Sequence, residues 1–283
     1  MSGKCMDRIP FGVSQFDSLI GGGSPPGSVV LLAGDAGAGA REFAYTSATI
    51  NALGDADSDL FELHYGPVDS RSSLPDEIHY VSFTANESEI VGELTHTIDE
   101  SLVSPASEVI SFEDLSAEYF QLSPIPNDWY VEKRCTITDL GSSHDRRDVL
   151  EALGEYLSEN APGNLVVIDS LTDLSALPDE QVDWNQMLML LKGMKKAAKE
   201  WGGLILVLVA QESLTERQMG SLMSATDGTI CFEWESGGNE RARTMFVREY
   251  RGVLSRIEEE SIVRFEMEIQ SDGLDISNVR EIR

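Results

Sequence analysis

The chain is short of positive charge and of lysine above all. Of its 283 residues 21 are Lys or Arg against 49 Asp or Glu, and only six of the basic residues are lysines. A formal charge of -28 argues against nonspecific nucleic-acid binding, which needs a basic stripe to replace condensed counterions. Cysteine is scarce too. Cys5, Cys135 and Cys231 are odd in number, far apart and without metal-ligand spacing, so a reduced cytoplasmic protein is expected rather than a disulfide framework or a zinc site. Long apolar runs are missing. The longest, Leu204-Ile205-Leu206-Val207-Leu208-Val209-Ala210, is too short to cross a bilayer, and the start carries no apolar signal segment, so no membrane insertion is expected.

What is present is a patterned, scattered acidity. The carboxylates are spread along the chain instead of gathered in a tail, which fits a solvated surface adapted to a salt-rich cytoplasm, where self-repulsion is screened. Apolar runs alternate with helical patterns, the signature of a mostly parallel sheet covered on both faces. Strands are predicted over 29–33, 78–83, 108–112, 165–169 and 204–210, and helices from the loop to about 51, over 87–102, 146–160 and 184–201. In the last of these, Met187, Leu190, Leu191, Met194 and Ala198 recur at helical spacing and read as core. Apolar segments at 228–232, 244–247 and 262–267 read as strands and hairpins added at one edge. With no repeat and no clean linker, a single domain over 1–283 is expected, carrying an acidic surface insertion at about 54–77 and an irregular segment at about 114–145. Trp129, Trp184, Trp201 and Trp234 read as packing anchors, and Ser142, Ser143 and His144 lack the positioned acid that a hydrolase would need.

The first strand runs directly into Gly34-Asp35-Ala36-Gly37-Ala38-Gly39-Ala40-Arg41. A phosphate-binding loop requires Gly-x-x-x-x-Gly-Lys-[Ser/Thr]; Gly34 and Gly39 stand at that spacing, but Ala40 takes the lysine position and Arg41 the hydroxyl position. The lysine would bring a cation to the β and γ phosphates and the hydroxyl would ligate Mg²⁺. Alanine does neither, and an always-charged guanidinium without a lone pair cannot bind a metal. Backbone amides at a helix start remain, so ATP, ADP or another anion is a candidate ligand while Mg²⁺-dependent hydrolysis is disfavoured. A glycine and alanine turn that never meets a phosphate stays open as an alternative.

Other segments carry a family resemblance. Ile9-Pro10-Phe11-Gly12-Val13-Ser14-Gln15-Phe16-Asp17-Ser18-Leu19-Ile20-Gly21-Gly22-Gly23 ahead of the loop strand, Ala225-Thr226-Asp227-Gly228-Thr229-Ile230, and Val247-Arg248-Glu249-Tyr250-Arg251-Gly252 resemble the opening, "A-D-G-x-I" and "K-x-R-G" segments of RecA-like ATPases of the KaiC and RadA type. Within that group the chain looks closest to haloarchaeal HTR-like proteins. The resemblance implies an α/β RecA-like fold, a mostly parallel twisted sheet with helices on both faces and additional C-terminal antiparallel edge strands. It implies that Asp169, ending an apolar strand, takes the Mg²⁺-side carboxylate position, that Ser170 lies beside the γ-phosphate region, and that Gln211 takes the polar sensor position after the strand over 204–210. It also implies self-association or a protein partner.

The departures from that family point to lost chemistry. Thr84 and Ala85 stand where KaiC-type domains carry a pair of glutamates that activate water, and Glu249 stands where a lysine is expected. The leading expectation is a pseudo-ATPase kept as a regulatory or assembly module. The alternatives are an unconventional ATPase in which Arg41 supplies phosphate charge and Glu87 orients water, and a recombinase-like DNA partner, which the acidic charge opposes.

Overall fold

The computed structural model describes residues 8–121, 123–130, 148–178, 182–237, 240–253 and 264–280. Strands β1 (Ser28–Gly34), β2 (Ile78–Ser82), β3 (Ile110–Asp114), β4 (Leu165–Asp169), β5 (Leu204–Ala210), β6 (Gly228–Gly237), β7 (Glu240–Tyr250), β8 (Arg264–Gln270) and β9 (Gly273–Arg280) form one sheet in the order β3-β2-β4-β5-β1-β6-β7-β8-β9. The pairs from β3 to β6 are parallel and those from β6 to β9 antiparallel. The expected fold class is therefore the observed one, edge hairpins included.

Alternation along the central strands sorts their side chains onto two faces. Val30, Leu32, Tyr80, Val167 and Leu206 pack with helices α2 (Ala40–Ala56), α4 (Glu87–Thr97) and α5 (Glu100–Ser107), while Val29, Leu31, Val166, Ile168 and Val207 pack with α7 (Val149–Asn160), α9 (Trp184–Trp201) and α10 (Glu216–Ala225). Both faces are buried, which is why these strands read as continuous apolar runs. Register fixes a common end: Gly34 lies opposite Ala210, Ile168 opposite Val207, and Ser82 opposite Asp169.

Several expectations need correction. The helix expected over 87–102 is two helices, because Asp99 caps α5 by accepting the Ser101 amide at 2.9 Å. The segment at 54–77 is no mere surface insertion: α2 runs on to Ala56, α3 (Ser58–His64) follows, and Phe61 and Tyr65 are buried with stacked rings. Polar composition hid two anchoring aromatics. Of the irregular segment at 114–145, α6 (Ser116–Phe120) and a 3-10 turn at Asn127–Trp129 are described; residues 131–147, with Cys135, Ser142, Ser143 and His144, lie outside the described residues, as does Cys5. Trp129 is 77% exposed and is not a packing anchor, whereas Trp184, Trp201 and Trp234 pack against the cores. Helices α8 (Leu171–Ala176) and α10 were not expected from the pattern, being short and split by polar residues.

The opening segment folds under the loop helix. Phe11, Phe16 and Phe43 form a tilted ring cluster with centroids 5.3 to 5.9 Å apart, on α1 (Ser14–Ile20), its lead-in and α2. Asp17 of α1 is buried and accepts the amides of Phe11 at 2.8 Å and Gly12 at 3.0 Å and the Tyr65 hydroxyl at 3.1 Å. It ties the opening turn, α1 and the end of α3 together. At the other end of the sheet Asp227 accepts the Val29 amide at 3.2 Å and pairs with Lys199 at 3.1 Å, so this motif carboxylate is an anchor between β1, β6 and α9.

Phe43→Ala is expected to lower unfolding free energy by about 3–5 kcal/mol in denaturant titrations at fixed KCl, since a fully buried ring is removed from a tight cluster. Burial pushes Asp17 up from its ordinary 3.8 to about 7, against the amide and Tyr65 donors. The native state then holds the proton more tightly than the unfolded one. The stability Asp17 contributes is full below about pH 4 and is lost as pH rises to about 7. Asp17→Asn should remove that part of the slope when unfolding is followed from pH 4 to 8.

Candidate functional site

Beyond the common end of β1, β4 and β5 lies a cleft of about 460 Å³. The glycine loop forms its floor between β1 and α2. Two glycines have reasons in the geometry. A Cβ on Gly34 would come within 2.7 Å of the Ala40 Cβ, and Gly39 caps α2 at φ +117, where an L side chain is strained and would press on Met267. Ala38 donates to the Asp35 carbonyl at 3.0 Å, closing the turn. Among the described residues, the first-turn amides of Ala40, Arg41 and Glu42 have no protein acceptor, as expected at a helix start without a side-chain cap.

The loop's other side is held by the β6–β7 hairpin. Trp234 Nε1 donates to the Ala36 carbonyl at 3.0 Å, Arg243 Nε donates to the Gly37 carbonyl at 3.1 Å, and the Arg243 guanidinium stacks over the Trp234 ring at 4.7 Å. These two residues are direct cross-strand partners. Carbonyls of the loop tip are thus spent on the hairpin, while the first-turn amides of α2 remain unspent. Gln211, opening a 3-10 turn after β5, donates to Asp35 Oδ1 at 3.0 Å, so the expected sensor position is fastened to the loop itself.

Arg41 turns across the cleft. Its Nη2 donates to Asp169 Oδ1 at 3.0 Å, and Tyr80 of β2 donates its hydroxyl to Asp169 Oδ2 at 2.8 Å. Arg41 also lies 3.9 Å from Glu93 on α4, which accepts the Tyr45 hydroxyl. Burial raises the Asp169 carboxyl above the usual range, with Arg41 and Tyr80 pulling it back, and burial also raises the fully enclosed Tyr80 phenol. Ser170 donates both its amide, at 3.1 Å, and its hydroxyl, at 2.8 Å, to Asp173, so this side chain is engaged in starting α8.

The structure brings Gly34, Asp35, Ala36, Gly37, Gly39, Ala40, Arg41 and Asp169 to one cleft, with Ala38 buried in the loop beneath and Gln211 on Asp35. Glu87 goes elsewhere. It is the exposed first residue of α4 and borders a separate hollow beside β3, together with Trp129. The glutamate that α4 does turn toward the loop is Glu93, two turns on, a residue missed in the sequence because the helix phase was not tied to the loop. Tyr45 of α2 was missed for the same reason, whereas Tyr80, Trp234 and Arg243 lie on strands whose approach to the cleft is set by the sheet order. Thr84 and Ala85, at the expected glutamate positions, direct their amides to Ser82 Oγ at 3.3 and 3.1 Å.

A phosphate group fits the floor of this cleft in one respect, the unspent amides of α2. A magnesium ion does not fit: the hydroxyl position is Arg41, both Asp169 oxygens accept other donors, and no group of three or more His, Cys, Asp or Glu side chains among the described residues is arranged to hold a metal. Among the described residues lining the cleft, Asp35, Glu42, Asp169 and Asp173 face the cation of Arg41.

Sheet order, a glycine loop after the central strand and antiparallel strands added at one edge give an α/β fold of RecA-like type. The chain is similar in structure to a KaiC-like protein of the hyperthermophilic archaeon Pyrococcus horikoshii OT3, at a TM-score of 0.62 over 96% of this chain and 100% of that one, with 18% identity. A likeness at that identity is a likeness of fold. No family model matches the chain, and no curated protein matches it. No helix among the described residues is long and apolar enough to cross a membrane.

Tyr80→Phe is expected to cost about 1.5–3 kcal/mol of unfolding free energy, since it strips a donor from a buried carboxylate. Gln211→Ala, at a partly exposed contact, should cost at most about 1 kcal/mol in the same denaturant titration.

Proposed function

We propose that this protein is a catalytically impaired RecA-like pseudo-ATPase, acting as a regulatory or assembly module through association with itself or with a protein partner, with nucleotide as a ligand of the loop amides. The observation that carries the reading is the Arg41–Asp169 bridge at 3.0 Å. It joins the two positions through which such a fold would handle Mg²⁺ and phosphate, and leaves each neutralising the other. Three further features support it: Ala40 brings no charge to the loop, Thr84 and Ala85 bring no carboxylate to the end of β2, and Glu87 lies away from the cleft. Phosphoryl transfer depends on positioned charge, so these losses together remove its main sources of rate.

The acidic composition and the resemblance to haloarchaeal HTR-like proteins support a salt-rich cytoplasmic setting. Salt also bears on the ligand, because Asp35, Glu42 and Asp173 repel a polyphosphate over the loop and a Debye length of about 3 Å at 1 M confines that repulsion.

Calorimetric titration of ATP and ADP in molar KCl, with and without Mg²⁺, combined with phosphate release in the same samples, tests the proposal. Binding without turnover is expected, unchanged in character by Mg²⁺. Robust turnover that disappears in Asp169→Asn would overturn it.

A further inference from the structure

Asp169 ends β4 and faces the start of α2 across the cleft, and neither of its oxygens is free. Oδ1 accepts from Arg41 and Oδ2 from Tyr80, with the Asp169 side chain 11% exposed and that of Arg41 52% exposed. Arg41 sits in the first turn of α2, at the position where a metal-liganding hydroxyl would stand. One residue therefore removes a metal ligand and puts a permanent positive charge against the other. A divalent ion at Asp169 would have to share Oδ1 with the guanidinium or displace it, and would face its charge with no hydroxyl in compensation. Glu93 lies 3.9 Å from the other guanidinium nitrogen, so Arg41 of α2 is hydrogen-bonded to Asp169 of β4 and faces a second carboxylate on α4.

We propose that Arg41 is the resident cation of this site, standing in the place of a divalent metal, so that Asp169 holds no metal ion while Arg41 is present. The inference deepens the pseudo-ATPase reading by naming what replaced the metal, and it rests on that reading only for its consequence that any phosphate ligand reaches the loop metal-free. The cation exclusion itself requires no nucleotide.

The test counts Mn²⁺ bound to the nucleotide-free full chain by electron paramagnetic resonance in molar KCl, which suppresses diffuse binding to the acidic surface. Wild type and Asp169→Asn are expected to bind the same number of ions. Arg41→Ser, which frees Oδ1 and supplies a hydroxyl, should gain one ion over wild type, and the gain should vanish in the Arg41→Ser, Asp169→Asn double variant. Arg41→Lys, keeping the charge, should gain none. Arg41 is half exposed, so its variants should fold, and thermal melts check that they do. An ion lost from wild type on Asp169→Asn, or no gain in folded Arg41→Ser, overturns the proposal. ATP turnover in the calorimetric samples would sink the preceding reading alone, and the Mn²⁺ count would still decide this one.

Discussion

The cleft depends on one constraint, the shared register by which parallel strands end at the same level. With Gly34 opposite Ala210 and Ser82 opposite Asp169, the loop, the carboxylate of β4 and the start of the 3-10 turn after β5 must meet at one edge. Parallel strands have no choice about this: their carboxyl ends lie together, and loops that leave them share the same crevice. Arg41 reaches Asp169, 128 positions away in the chain, because the sheet holds the two strand ends a single strand apart.

The rest of the fold stiffens that edge from both directions. From below, the Phe11, Phe16 and Phe43 cluster seats α2, and Asp17 locks the opening turn onto α1 and the 54–77 segment. From the side, the antiparallel strands that extend the sheet do more than cover an edge. Their first hairpin sends Trp234 and Arg243 to the loop's carbonyls, so the conformation of a glycine-rich turn is set by residues about 200 positions further on. A loop held in this way keeps its shape whether or not it does chemistry. The steric needs met by Gly34 and Gly39 hold whatever residues stand at positions 40 and 41.

Charge at the site is settled internally. In a P-loop enzyme a bound metal and lysine would balance phosphate; here Arg41 is balanced by Asp169 and Glu93, and Gln211 spends its donor on Asp35. The groups that would face a ligand face one another. The acidic lining of the cleft, Asp35, Glu42, Asp169 and Asp173, matches a chain of net charge -28.

Much of this was legible in the residues themselves. Apolar runs of five to seven residues with turn signals between them marked the central strands nearly to the residue, because burial on both faces leaves little freedom in composition, and the spacing of Gly34 and Gly39 marked the glycine turn between β1 and α2. What sequence could not give was phase and partnership. Whether Glu87 or Glu93 turned toward the loop depended on where α4 starts and how it lies on the sheet, and Trp129, alike in residue type to Trp184, Trp201 and Trp234, is set apart by its exposure. The identity of each side chain was written in the chain, but the pairing of Arg41 with Asp169 was decided by tertiary structure, since a charge pair is a property of distance and only the folded sheet sets that distance.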